Sequence, residues 1–359
     1  MSGPRIVIAA GGTAGHVIPA LAVADALRAE GAHVAFVGGE RAEAELVPAA
    51  GYPLATLKVE GISRSNPLKA ARAVLRAAGA LRAAARALRH ERADAVLGAG
   101  GYVAGPVGVA AVARRTPLVL AEADSHLGLT NRLLAPRARR VCLAFPIEGR
   151  EPPRYRLTGR AVPPKVADRA EARHRLGIAE TETCVLVFGG SLGARTINRA
   201  APEAFAGAPY RVLHLAGTRD FEALTAPGPH YDLRSYLQPF GLALAAADLA
   251  VARAGGSVFE LAQYGLPAIL VPYPHASGNH QAANARWMAD HGAALVVPDA
   301  ELTPRRLRAE VDALLADDDR REAMAAASAA LARPDAARDI AQELLAAAGR
   351  GATPAAPRP

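Results

Sequence analysis

Short uncharged runs rich in Val, Ile and Leu recur along the chain, and several lead directly into glycine. Arg5–Ala10 (RIVIAA) is the first; Gly11-Gly12 follows, then an apolar helix predicted over Pro19–Glu30. His33–Val37, Ala95–Leu97, Pro117–Leu120 and Arg140–Leu143 read as further strands. The pattern restarts at Cys184–Phe188 (CVLVF), directly before Gly189-Gly190, and continues through Arg211–Leu215, Leu249–Ala252 and Ala268–Pro272. Strands alternating with helical segments predict α/β architecture with parallel, doubly wound sheets. Two Pro-rich stretches, Glu151–Pro153 and Ala161–Lys165, are linker candidates. The expected domains are therefore 1–160 and 161–349. A last helix, about 335–348, is free to dock on either, and a Gly/Ala/Pro tail at 350–359 is expected to be disordered.

The chain has 359 residues, enough for two cores, and 51% apolar residues exclude intrinsic disorder for its bulk. Cys142 and Cys184 sit in apolar runs and make neither a disulfide framework nor a cysteine-rich zinc site. The net charge of +8 is unevenly placed: residues 1–160 hold 22 Lys/Arg and 12 Asp/Glu, while the remainder is slightly acidic. An anionic partner for the first half is implied. Within 61–90 lie seven cations (Arg64, Lys69, Arg72, Arg76, Arg82, Arg86, Arg89) and no carboxylate. Val74, Leu75, Leu81 and Leu88 interleave with them at helical spacing, which reads either as a membrane-surface helix or as a solvated face. No apolar run reaches transmembrane length, and Gly11, Gly12, His16 and Pro19 interrupt the one stretch that resembles a signal peptide. No aromatic-basic platform points to nucleic acid.

Five segments could carry chemistry. Gly11-Gly12-Thr13-Ala14-Gly15-His16 offers backbone N–H groups to an anion where a helix begins. Its spacing is not G-x-G-x-x-G, and Phe36-Val37-Gly38-Gly39 carries no acidic residue, which disfavours a dinucleotide dehydrogenase. His16 would project at the carboxyl edge of the sheet, where ligands bind. The segment 98–105 has four glycines in eight residues, a tight crossover or a second phosphate loop. Gly189-Gly190-Ser191-Leu192-Gly193 suits a phosphate but also fits G-x-S-x-G, the nucleophile elbow of a hydrolase. That rival needs an acid and then one of His214, His230, His275, His280 or His291. Gly255-Gly256-Ser257, followed by Glu260, would offer a helix start to a diphosphate and a carboxylate to ribose hydroxyls. Gln281 and Asn284 share one helix face and suit sugar hydroxyls. No metal-ligand cluster is evident; Asp317-Asp318-Asp319 reads as a cap or loop.

Taken together, GGTAGHVIPA (11–20), GAGGYVAGP (98–106), GLTNRLLA (128–135), GGSLGAR (189–195) and GLPAILVPYPHA with HQAANA (265–285) resemble the family 28 glycosyltransferases. The likeness runs in family order from Ile6 to about residue 300. It implies the GT-B fold: two Rossmann-like doubly wound parallel-sheet domains facing a cleft. It implies inverting transfer of GlcNAc from UDP-GlcNAc to the 4-hydroxyl of undecaprenyl-diphospho-MurNAc-pentapeptide, as a step of peptidoglycan synthesis. No cofactor and no metal would be needed. The protein would sit peripherally on the cytoplasmic face of the cell membrane, its basic half against anionic lipid.

Carried over by motif, Gly12, Thr13, Gly15, His16, Gly100, Gly101 and Tyr102 would face the acceptor. Ser191, Asn198, Leu237, Gly255, Gly256, Ser257, Glu260, Gln281 and Asn284 would hold the donor. Thr13, Ala14, Gly15, Asp124 and Arg160 would add contacts on the donor side. His16 is the first candidate for the general base, with Glu122 and Asp124 as rivals. The sequence departs from the family pattern in places. Ala14 stands where a glycine is usual, Ala121-Glu122-Ala123-Asp124 replaces HEQN and keeps only its Glu, and Gly159-Arg160-Ala161-Val162-Pro163 replaces GNPVR, losing the usual Arg position, with Arg160 as the candidate substitute. Alternatives are a GT-B enzyme with another acceptor, a UDP-GlcNAc 2-epimerase, and a non-catalytic UDP-sugar or membrane-binding protein.

Overall fold

A computed structural model of the chain describes residues 3–57 and 67–349. The tail at 350–359 and, of the basic segment, Arg64 and the side chains of Lys69, Arg72 and Arg76 lie outside the described residues. The chain divides into two compact units: the first runs to Pro163 and resumes at Arg333, and the second covers Pro164–Ala332.

The first unit contains, in chain order, β1 (Arg5–Ala9), α1 (Ala14–Ala29), β2 (His33–Gly38), α2 (Ala42–Ala49), β3 (Leu54–Thr56), α3 (Pro67–His90) and β4 (Ala95–Gly98). It continues through α4 (Gly101–Ala113), β5 (Leu118–Glu122), α5 (Leu129–Leu134), β6 (Arg140–Leu143) and β7 (Tyr155–Leu157). Its sheet is parallel throughout, in the order β3-β2-β1-β4-β5-β6-β7. The second unit contains α6 (Arg169–Leu176), β8 (Cys184–Phe188), α7 (Arg195–Ala204), β9 (Arg211–Leu215), β10 (Tyr231–Arg234) and α8 (Gly241–Ala246). β11 (Leu249–Ala252), α9 (Val258–Tyr264), β12 (Ala268–Leu270), α10 (His280–Asp290), β13 (Ala294–Val296), α11 (Pro304–Leu315) and α12 (Asp318–Ala330) complete it. Its sheet is also parallel, in the order β10-β9-β8-β11-β12-β13. α13 (Ala336–Ala347) belongs to the first unit.

Strands covered by helices on both faces need unbroken apolar sequence. β1 and β8 have it, and every residue of β8 is buried. Ile340, Ala341 and Leu344 of α13 pack into the same core as Ile6, Ile8, Val17 and Leu27. Arg140 and Arg156 clamp the buried Glu343 of that helix at 2.6 and 2.8 Å. Glu151–Pro153 lies inside the first unit, leading into β7. The Asp317 carboxylate caps α12 by accepting from the Arg320 N–H at 3.0 Å.

Candidate active site

Each sheet reverses its winding beside its first strand, between β1 and β4 in the first unit and between β8 and β11 in the second. Open parallel sheets bind ligands outside the carboxyl ends of strands at such points. The glycine-rich segments lie there.

In the first unit α1 begins at Ala14, five residues before the expected start at Pro19. Ala14, Gly15 and His16 are its first turn rather than part of a loop. Pro19 lies inside the helix and has no N–H for the Gly15 carbonyl. The Arg160 guanidinium donates to that carbonyl instead, which is how the helix tolerates the proline. His16 is half-buried against Gly100, where an added Cβ would lie 2.8 Å from its Nδ1. The two glycine segments touch: a Cβ on Gly101 would come within 1.9 Å of the Gly11 carbonyl oxygen, so only glycine fits.

Three assignments in this unit need correction. The Gly12 N–H donates to Glu43 Oε2 at 2.8 Å and is not open to an acceptor diphosphate. Among the described residues the N–H groups of Thr13, Ala14 and Gly15 have no acceptor. The Tyr102 hydroxyl donates to Glu43 Oε1 at 2.9 Å, so it serves the interior rather than a ligand. Glu122 is 7% exposed, and both its oxygens are engaged. They accept from the Asp124 N–H (3.1 Å), the Gly128 N–H (2.8 Å) and Asn131 Nδ2 (2.9 Å). It braces the loop after β5 and is not placed as a base. Asp124 is half-buried, and its carboxylate has no hydrogen-bond partner among the described residues. His16, Pro19, Glu122, Cys142, Arg160 and Ile340 line a slot of about 40 Å³.

In the second unit Ser191 is exposed after β8, and among the described residues no histidine hydrogen-bonds its hydroxyl. That removes the nucleophile-elbow reading. Asn198 is 1% exposed and faces inward, a further correction. Its Nδ2 donates to the Ala216 carbonyl (2.8 Å) and Asp220 (3.3 Å), and its Oδ1 lies 3.1 Å from His214 Nε2. Burial pushes the His214 imidazole down to about 4, so it is neutral, with Nδ1 2.7 Å from the Tyr231 hydroxyl.

After β11, among the described residues, the N–H groups of Gly255, Gly256 and Ser257 have no acceptor. The buried Arg253 supports this loop: it donates to the Val271 carbonyl (3.0 Å) and pairs with Asp299, which also accepts from Thr196 at 3.1 Å. Gln281 Oε1 accepts the Tyr273 N–H at 2.9 Å. That turns its Nε2 toward Gly255, 3.9 Å from where a Cβ would stand. Asn284 is 2% exposed; its Nδ2 donates to the Ala254 carbonyl at 3.0 Å, and its buried Oδ1 receives no hydrogen bond from the described residues. Glu260 and Leu237 are half-buried. Burial, and then the Glu260 charge, push the Tyr236 phenol up. A groove of about 820 Å³ lined by Lys165, Asp248, Tyr264 and Arg321 lies at the amino ends of β11 and β12, opposite these groups.

Burial pushes both cysteine thiols up to about 12, which leaves them inert. Among the described residues no cluster of His, Cys, Asp and Glu is arranged to hold a metal ion, and no helix is long and apolar enough to cross a membrane. In α3 the residues Ala80, Ala84 and Leu88 are buried, while Arg82, Arg86 and Arg89 form an exposed cationic stripe. The apolar side of this half of the helix is therefore core. Glu43 and the Arg253–Asp299 pair were not legible as a site, and His214 only as a candidate of the hydrolase reading, because most of their partners are distant in sequence.

Two family models match the chain: the glycosyltransferase family 28 N-terminal domain over residues 6–143 and the family 28 C-terminal domain over 184–341. A protein of Methylococcus capsulatus is 43% identical over 96% of this chain and 99% of its own length. One of Moorella thermoacetica is 41% identical over 95% and 98%. Both are named UDP-N-acetylglucosamine–N-acetylmuramyl-(pentapeptide) pyrophosphoryl-undecaprenol N-acetylglucosamine transferase. The crystal structure of Acinetobacter baumannii MurG is similar at 30% identity, covering 96% of this chain and 99% of that one, with a TM-score of 0.76.

Proposed function

The chain belongs to glycosyltransferase family 28, and from that premise we propose that the open donors and acceptors along the carboxyl edge of its second unit hold UDP-GlcNAc. The fold is GT-B, with two Rossmann-like units. The enzyme transfers GlcNAc from UDP-GlcNAc to undecaprenyl-diphospho-MurNAc-pentapeptide. The observation that carries the donor assignment is the buried, unfilled Oδ1 of Asn284 beside the acceptor-free N–H groups of Gly255–Ser257. A buried amide oxygen without a donor is costly unless a ligand supplies one.

In this reading the diphosphate lies against the N–H groups of Gly255, Gly256 and Ser257 and the Ser191 hydroxyl. Glu260 accepts from the ribose, the Leu237 backbone meets uracil, and Gln281 and Asn284 take the GlcNAc hydroxyls. The first unit takes the acceptor, its diphosphate at the N–H groups of Thr13, Ala14 and Gly15. His16 removes the proton from the 4-hydroxyl of the muramoyl sugar as that oxygen attacks the anomeric carbon. The carbon–oxygen bond to UDP breaks in the same displacement, inverting the centre, and no covalent enzyme intermediate forms. Preorganised N–H groups stabilise the charge that develops on the leaving diphosphate.

The protein acts at the cytoplasmic face of the membrane. The charge excess of its first 160 residues and the exposed Arg82, Arg86 and Arg89 stripe support this. So do Leu129 and Leu133, 57% and 64% exposed beside the exposed Arg132. Each surface cation is worth about 1 kcal/mol against anionic lipid. Flotation with anionic vesicles but not with neutral ones is the expected result; equal binding to both rejects the docking.

UDP release and labelled lipid product, measured with UDP-GlcNAc and the lipid-linked acceptor, test the whole reading. Release only with a different acceptor, epimerisation without any acceptor, or binding without release would each overturn it.

A further inference from the structure

The side chain that joins the acceptor-side loops is one that no sequence motif marks. Glu43, in the first turn of α2, is fully buried and accepts three hydrogen bonds from other residues. They come from the Gly12 N–H after β1 (2.8 Å), the Gly39 N–H after β2 (2.8 Å) and the Tyr102 hydroxyl at the start of α4 (2.9 Å). The surroundings are shaped for this carboxylate. A Cβ on Gly39 would lie 1.7 Å from the Tyr102 hydroxyl oxygen, and one on Gly11 would lie 2.8 Å from Glu43 Oε1. Burial works to raise the Glu43 carboxyl, but hydrogen bonds from its own backbone, Gly12, Tyr102 and Gly39 outweigh it and keep the group ionised. Part of the glycine content around Gly11 thus makes room for an internal anion.

The consequence reaches His16. Its ring rests on Gly100, the next residue packs onto the Gly11 carbonyl, and Tyr102 follows directly. Fixing Gly12 and Tyr102 to one carboxylate fixes both walls of the His16 seat. We propose that Glu43 is a positioning residue for glycosyl transfer, acting through the registration of these loops on His16. This rests on the reading of His16 as the base.

The test is epistasis in the full-length enzyme, with the lipid-linked acceptor and UDP-GlcNAc as probes. Glu43→Gln keeps size but replaces one acceptor oxygen by an amide donor, which then faces a donor of the loops. A displacement on the order of 1 Å in a reacting group costs up to about 10²-fold. kcat is therefore expected to fall roughly 10–100-fold, with the UDP-GlcNAc Kd by calorimetry within about twofold of wild type. In a His16→Ala background the same change is expected to cost less than about twofold, since the group it positions is gone. Equal losses in both backgrounds, or a donor Kd that worsens in step with kcat, would mean a merely structural role and overturn the proposal. Tyr102→Phe removes one donor and leaves the acid; a several-fold kcat loss confined to the His16 background is expected. Full activity of that variant overturns the proposal even if Glu43→Gln fails to fold. Wild-type turnover in His16→Ala alone would instead sink the base assignment, and absence of transfer by the wild type would sink the reading of function.

Discussion

Glu122 separates a brace from a base by stability as well as by rate. In Glu122→Ala three donors lose their acceptor, and only Asn131 Nδ2 keeps another, the Ala121 carbonyl at 3.1 Å. The Asp124 and Gly128 N–H groups are left to whatever water reaches a half-buried loop. A stranded donor costs about 1–3 kcal/mol; two of them, near the low end for partial solvent access, give about 3 kcal/mol. A folding unit of this size loses roughly 2–4 °C of Tm per kcal/mol, so calorimetry should show the transition falling by about 6–12 °C. Glu122→Gln retains one acceptor oxygen and should lose about half as much. Turnover of each variant, assayed well below its own transition, should follow only the disorder of the loop. A general base behaves in the opposite way: Glu122→Gln would leave Tm unmoved while turnover dropped about 10²–10⁴-fold. That outcome would refute the structural reasoning.

Other expectations follow from the same geometry. His16→Ala should cut kcat by about 10²–10⁴-fold with UDP-GlcNAc binding intact; unchanged turnover removes His16 from the mechanism. Asn284→Ala should weaken UDP-GlcNAc by about 10–100-fold, the equivalent of one lost buried hydrogen bond, and leave UDP affinity nearly unchanged by calorimetry. Equal losses for both ligands would displace the sugar from this amide. His214 titrates near 4 in the fold and near 6.5 when unfolded, so between these values the unfolded chain binds more protons. The contribution of the neutral imidazole is complete above about pH 6.5 and is lost as pH falls toward 4, by roughly 3 kcal/mol. Urea unfolding from pH 7 to 4.5 should show this slope, and His214→Gln should lack it. Arg82, Arg86 and Arg89 replaced together by Glu should reduce anionic-vesicle binding without changing turnover on detergent-solubilised acceptor.

The inner strands were legible because burial on both faces demands unbroken apolar runs; Arg140–Leu143, Cys184–Phe188, Arg211–Leu215 and Leu249–Ala252 begin and end where the sequence predicts. β3, β7, β10 and β13 were not: they are the edges of the two sheets, and their partly exposed residues break the apolar pattern. The start of α1 was misread for a specific reason: Pro19 looks like a first-turn residue, and its tolerance in the interior depends on Arg160, 145 residues from the carbonyl it satisfies. Motif matching brought Glu122 and Asn198 to the right edges of their sheets but said nothing about which way they point. Both point inward, for the same reason: a sharp loop exposes backbone donors and acceptors that the protein must satisfy locally.

That requirement suggests a stricter way to read a glycine-rich loop than counting glycines. Glycine makes a backbone N–H reachable, yet an internal carboxylate can reach it as well as a phosphate can. After β1 the Gly12 N–H is held by Glu43, so an anion can engage only the groups beyond it, at Thr13, Ala14 and Gly15. After β11 the supporting charge, Arg253, is turned away from the loop and bound to Asp299, and it leaves Gly255, Gly256 and Ser257 open. One loop is thus preorganised by an anion beneath it and the other by an ion pair beneath it. A buried carboxylate under the β1 loop opposes a second negative charge above it, whereas the Arg253–Asp299 pair under the β11 loop carries no net charge and opposes none. On the proposed reading the β11 loop is therefore the stronger diphosphate site, while the β1 loop holds His16 in register and meets the acceptor diphosphate only through Thr13, Ala14 and Gly15.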